Sequence, residues 1–145
     1  MPYEMENCVF CRIVEGAEPA SIVYADEIVI AFMDIQPVNP GHVLVIPRKH
    51  ASGLSDLDEE TGAHMFRIAM RIAAALRASG VKCEGINLFL ADGKAASQDI
   101  FHVHLHVIPR FRGDGFHVKA GPNYGVRPSR EELDKIAERI RLAMT

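Results

Sequence analysis

In the run "DIFHVHLHVIPR", Asp99 to Arg110, the imidazoles of His102, His104 and His106 alternate with the branched apolar residues Val103, Leu105 and Val107. A strict period of two predicts a strand, placed at 102–108, with the apolar set on one face and the histidines on the other. The apolar face needs a cover, and the histidine face is expected to line an open groove. At about 3.3 Å per residue, the first and third histidines stand ~13 Å apart on a straight strand. That spread disfavours a single tetrahedral ion held by all three. Three of the chain's seven histidines at strict alternation point to function more than to a solvated strand face.

The cover is found upstream. In "SDLDEETGAHMFRIAMRIAAALRASG", Met65, Ile68, Ala69, Ile72, Ala73 and Leu76 recur with helical period and form one apolar face. Asp56 and Glu59 are expected to cap its start, and Gly80 its end. Four further β-rich runs are expected as strands, at 21–24, 28–33, 42–46 and 86–91, the first two joined by a turn at Ala25-Asp26-Glu27. Pro47 is expected to end the third, since it lacks an N–H for the ladder. "RGDGFHVKAGPNYGVRP" reads as a loop rich in Gly and Pro. After it, Ser129 and Glu132 open a last helix whose buried stripe is expected to be Leu133, Ile136, Ala137 and Ile140. Hairpin-like links and one long helical excursion predict an α+β fold: a mainly antiparallel five-stranded sheet with one long helix and an additional C-terminal helix. With 145 residues, 48% of them hydrophobic, the expectation is one domain over 1–145.

Charge and cysteine content narrow the function classes. Sixteen basic and nineteen acidic residues are interspersed for a net charge of −3, so no polynucleotide partner is expected. "MPYEMENCVF" lacks the pattern of a secretory leader, and no stretch approaches the ~18 apolar residues of a membrane span, which predicts a cytoplasmic protein with no membrane partner. Cys8 and Cys11, spaced C-x2-C, read as metal or redox chemistry, and Cys83 as an ordinary free thiol. His64 and His117 read as surface or structural residues.

"HVHLHVI" resembles the His-φ-His-φ-His-φ-φ pattern, φ being hydrophobic, of the histidine-triad nucleotide-binding superfamily. "CVFCRIVEG", "IAFMDIQPVNPGHVLVIPRKH" and "SQDIFHVHLHVIPR" are similar to stretches of its bacterial members in the same order, so the resemblance covers roughly residues 8–110. It implies that His104 is a nucleophile toward the α-phosphorus of a purine nucleotide derivative, and that His106 stabilises the phosphate charge. A neutral imidazole suits both attack and later departure from phosphorus. Gln98 and backbone N–H groups near Asp99 would assist. Asp34 would accept hydrogen bonds from the ribose, and Phe10, Ile13, Phe32 and Ile35 would wall the base, although core packing explains these four apolar residues equally well without it. His42 would lie near the active-site strand.

The zinc-bearing branch further implies a structural zinc on Cys8, Cys11, His50 and His102, set against the alternative that the two cysteines are reduced and metal-free. A homodimer is also implied. The sequence departs from the family pattern at Ala91, where asparagine is frequent, at Ser97, where glycine usually precedes the glutamine, and at Asp99, where a small hydroxyl residue is common. The activity implied is nucleotidyl hydrolysis or transfer on a nucleotide phosphoramidate, dinucleoside polyphosphate or similar. A non-catalytic nucleotide-binding module is the main alternative, and a metal-dependent hydrolase the third.

Overall fold

The computed structural model describes residues 7–144; the opening of the N-terminal stretch read above for a leader lies outside them. The chain divides into two compact units after Gly115. In the first, helix α1 (Val9–Val14) precedes strands β1 (Ile22–Ala25), β2 (Val29–Met33) and β3 (Val43–Pro47), then helix α2 (Glu59–Ala78) and strands β4 (Gly85–Phe89) and β5 (Leu105–Arg110). The strands form one antiparallel sheet in the order β1-β2-β3-β5-β4. This is the five-stranded α+β architecture expected from the sequence.

The β1–β2 hairpin closes on Asp26, whose carboxylate accepts from the N–H groups of Ile28 and Val29, both at 2.8 Å. The same carboxylate meets His64 Nε2 at 2.6 Å, tying the hairpin to α2. Burial opposes ionisation of Asp26, but His64, the two N–H groups and the Tyr24 hydroxyl together hold its carboxyl well below the usual range. His64 is therefore a structural residue.

α2 buries Met65, Ile68, Ala69, Ile72 and Leu76 against Val29, Ala31, Val43, Val45, Val103, Leu105 and Val107. The apolar half of the alternating run thus lies under the helix as expected. Two local expectations are corrected. The N-cap of α2 is Asp58, which accepts from Thr61 N–H at 3.0 Å, while Asp56 belongs to a separate 3-10 turn. β3 runs through Pro47, which pairs with Val29 in register and needs no N–H on its other side because the β3–β5 pairing spans only Val43 to Val45.

The opposite face carries one row of residues across the sheet: Ile22, Phe32, Leu44, His106 and Phe89 occupy successive partner positions on the five strands. Phe10, Cys8 and Cys11 of the α1 segment pack on this face with Ile30, Phe32, Leu44 and Ile46. Among the described residues no helix is long and apolar enough to cross a membrane.

In the second unit, the Gly- and Pro-rich segment leads to α3 (Arg130–Ala143), capped by Ser129 Oγ, which accepts from Glu132 N–H at 3.1 Å. The expected stripe of Leu133, Ile136, Ala137 and Ile140 is not buried; all four are exposed. α3 is the only regular element described in that unit, and Val118, Tyr124 and Val126 of the segment before it are exposed as well.

Candidate functional site

The histidine run is half strand and half connector. β5 starts at Leu105, so His102 and Val103 precede the ladder, and Val103 N–H donates to Ala51 O at 2.8 Å instead. The expected strand at 102–108 is corrected to 105–110. The open groove is corrected too: His102 and His104 are buried and only His106 is partly exposed. The reason is α1, whose Phe10 ring stands edge-on to His102 and His104 at centroid distances of 5.8 and 5.2 Å.

Hydrogen bonds fix which nitrogen of each ring is free. His102 Nε2–H donates to Pro47 O at 2.7 Å, leaving the Nδ1 lone pair directed at Cys8 Sγ (3.3 Å) and Cys11 Sγ (3.5 Å). His104 Nδ1–H donates to His102 O at 2.8 Å, leaving the Nε2 lone pair available. For the third ring the order starts at backbone: Val38 N–H donates to His42 Nδ1 at 3.0 Å, so His42 Nε2 carries the proton. His42 Nε2–H then donates to His106 Nδ1 at 2.9 Å, which places the proton of neutral His106 on Nε2. Burial, together with His104 and His42, pushes His106 down to about 4, against the opposing effect of Asp34 and Asp99, so this ring is neutral at pH 7. Burial likewise lowers His42, opposed by Asp34, whose Oδ2 lies 3.5 Å from His42 Nε2. The His104 and His106 rings are 5.0 Å apart. A lone pair on one ring therefore stands beside an N–H donor on the next, which suits attack on a centre carrying an anionic oxygen.

Two groups of ligand-type side chains converge, each with its donor atoms within 4.8 Å of one another: Cys8, Cys11, His50 and His102, and Asp34, His42 and His106. Tautomer separates them. In the first, His102 offers a lone pair, His50 Nδ1 lies 3.2 Å from Cys11 Sγ, and two sulfurs with two imidazoles are a donor set suited to zinc. Burial first, then Cys8 and Glu15, push the Cys11 thiol up to about 12. In the second, the Val38 N–H already occupies His42 Nδ1, so Nε2 must keep its proton and cannot ligate. The first group fits a metal, and the second is a hydrogen-bond chain from Val38 N–H through His42 to His106.

Phe10 and Phe32 are buried in edge contact, with ring centroids 5.4 Å apart, and Ile13 packs at the margin of the same cluster. Ile35 is 94% exposed on the turn that follows β2. Asp34 sits just past β2, its Oδ1 accepting from Gln36 N–H at 2.8 Å. The Gln98 carboxamide is committed to the backbone: it donates to Ser52 O (2.7 Å) and Ile100 O (3.0 Å) and accepts from Gly93 N–H (2.8 Å), bracing the 92–98 loop. Asp99 is close to the centre, its Oδ1 lying 3.7 Å from His104 Nε2. His42 contributes more than sequence reasoning assigned to it. The available signal was its place in "NPGHVLVIP", where the turn returns a backbone N–H to the ring.

Residues 15–113 match the family described as the HIT domain. A solved HIT family protein from Bacillus anthracis superposes with a TM-score of 0.89 at 36% identity, covering 97% of this chain and 99% of that one. A zinc-bound histidine triad family protein from Mycobacterium smegmatis is 41% identical, with a TM-score of 0.75 and 97% and 99% of the two chains covered. A histidine triad nucleotide-binding protein from Candida albicans gives 0.81 at 25% identity over 95% and 97%.

Proposed function

Because the chain belongs to the HIT domain family, we propose that it is a nucleotidyl hydrolase or transferase, acting at the α-phosphate of a purine nucleotide phosphoramidate, dinucleoside polyphosphate or similar mixed anhydride. The observation that carries the reading is the His104 Nδ1–H bond to His102 O at 2.8 Å, which leaves Nε2 as a nucleophile in a buried site.

His104 Nε2 attacks the α-phosphorus; the N–P bond forms as the bond to the leaving group breaks, and the leaving atom takes the electron pair and a proton from solvent. The positive charge that develops on the ring is stabilised through Nδ1–H by the His102 carbonyl. His106 Nε2–H, kept on that nitrogen by His42, donates to a non-bridging phosphate oxygen. Water then attacks phosphorus and gives up a proton to solvent, the P–N bond breaks with its pair returning to Nε2, and a nucleoside monophosphate leaves. Asp34 receives the ribose hydroxyls, and Phe10, Ile13, Phe32 and Ile35 flank the base. Gln98 acts by holding the loop that precedes Asp99.

Cys8, Cys11, His50 and His102 would hold a structural zinc, which when bound neutralises the two thiolates and cross-links the α1 segment to the active-site run. The active unit is a homodimer, a reading supported by Phe66 and Met70, large apolar side chains left exposed on the outer side of α2.

The test is turnover of a purine nucleoside phosphoramidate by wild type and His104→Ala. The variant loses activity by at least about 1000-fold, the scale expected when a nucleophile is removed. Equal turnover by the two proteins excludes the mechanism, and tight nucleotide binding with no turnover by wild type supports a non-catalytic binding module in its place.

A further inference from the structure

One carboxylate oxygen links a main-chain donor to the nucleophile's side of the site. Ile100 N–H donates to Asp99 Oδ1 at 2.9 Å, and the same oxygen lies 3.7 Å from His104 Nε2. One carboxylate oxygen thus stands between a main-chain donor and the nucleophilic nitrogen, where a phosphate oxygen of the substrate would be received. The side chain is 81% exposed, so it stands at the mouth of the site and can turn outward without disturbing the core. Because His104 is buried, a group displaced in line from the phosphorus departs away from Nε2, toward the mouth where this exposed carboxylate stands.

We propose that Asp99 is a specificity-determining residue that selects leaving groups by charge, admitting nucleoside phosphoramidates whose leaving amine is neutral or cationic and rejecting polyphosphate leaving groups. This rests on the nucleotidyl-transfer reading above. Its physical basis is Coulombic. Each additional negative charge about 6 Å from a carboxylate exposed to water is disfavoured by roughly threefold, and the effects of several charges multiply. The reacting phosphate brings its own charge with either substrate, so that contribution is shared. A polyphosphate adds further negative charges on the leaving side, whereas a leaving amine bearing an ammonium group adds a positive one.

Asp99→Asn is the informative change, because the carboxamide oxygen can still accept from Ile100 N–H while the charge is removed. Asp99→Ser is the second variant and should shift selectivity in the same direction. With a purine nucleoside phosphoramidate carrying an ammonium on its leaving amine and a dinucleoside triphosphate as the pair, Asp99→Asn is expected to raise the kcat/KM ratio in favour of the triphosphate by about tenfold. Added salt should shrink the difference between wild type and variant. An unchanged ratio in both variants overturns charge selection and leaves nucleotidyl transfer standing, since His104→Ala still reports on that step. If wild type turns over neither substrate, the nucleotidyl-transfer reading fails and charge selection is judged by binding. Asp99→Asn must then tighten a nucleoside monophosphate about tenfold relative to the nucleoside, and equal tightening of both overturns it.

Discussion

Ser97 is the one described non-glycine residue held at positive φ, at +69°, and it stands in the loop that presents Gln98 and Asp99. A side chain in that region costs about 1–2 kcal/mol, whereas glycine costs roughly 0.5–1 kcal/mol more in unfolded-state entropy. Ser97→Gly is therefore expected to stabilise the protein by about 0.5–1 kcal/mol, seen as a rise of about 2–4 °C in melting temperature. A lower melting temperature would show that the serine makes a compensating interaction. At this scale the sequence was informative about residue type and poor about hydrogen-bond direction. It singled out His102, His104 and His106, but the roles of the three rings depend on Pro47 O, His102 O and Val38 N–H, main-chain groups whose positions no side-chain pattern encodes. His42 was undervalued for the same reason.

At the scale of elements, α1 is six residues long, too short to persist alone, and it is held by burial of Phe10 and Cys11 and by its cysteine contacts with His50 and His102. Cys8 Sγ also accepts from Cys11 N–H at 3.3 Å as the helix cap. A serine hydroxyl can take over the cap but not the thiolate, so Cys8→Ser isolates the metal contribution. Purified wild-type protein is expected to carry about one zinc per chain by elemental analysis, and the variant close to none. Chelation should lower the melting temperature of wild type by several degrees and leave that of Cys8→Ser unchanged. A metal-free wild type that melts no lower than before chelation would refute the structural zinc. Periodicity located α2 because burial of one face dictates its pattern, and β2 and β3 because burial on both faces leaves continuous apolar runs. It misplaced the start of β5, because His102 and Val103 are drawn out of the ladder by Pro47 and Ala51, partners that lie 55 and 52 positions upstream.

For the whole molecule, the antiparallel sheet separates two environments: one face is sealed by α2, and the other carries the row Phe32, Leu44, His106 and Phe89 on which the site is built. Burial on both faces of β2 and β3 made the sheet legible, whereas the apolar stripe of α3 was misread as buried because periodicity records amphipathicity and not what covers it. The exposed Phe66 and Met70 of α2 carry the homodimer reading. Sedimentation should give a dimer for wild type and a monomer for Phe66→Asp combined with Met70→Glu; a monomeric wild type would refute it. Covalent nucleotidylation of His104 is read by mass spectrometry of rapidly quenched protein mixed with a purine nucleoside phosphoramidate. Wild type should show a nucleoside-monophosphate mass increment on the peptide containing His104, localised to that ring and missing from His104→Ala. Turnover with no adduct on quenched wild type, or an adduct that persists in His104→Ala, would contradict it.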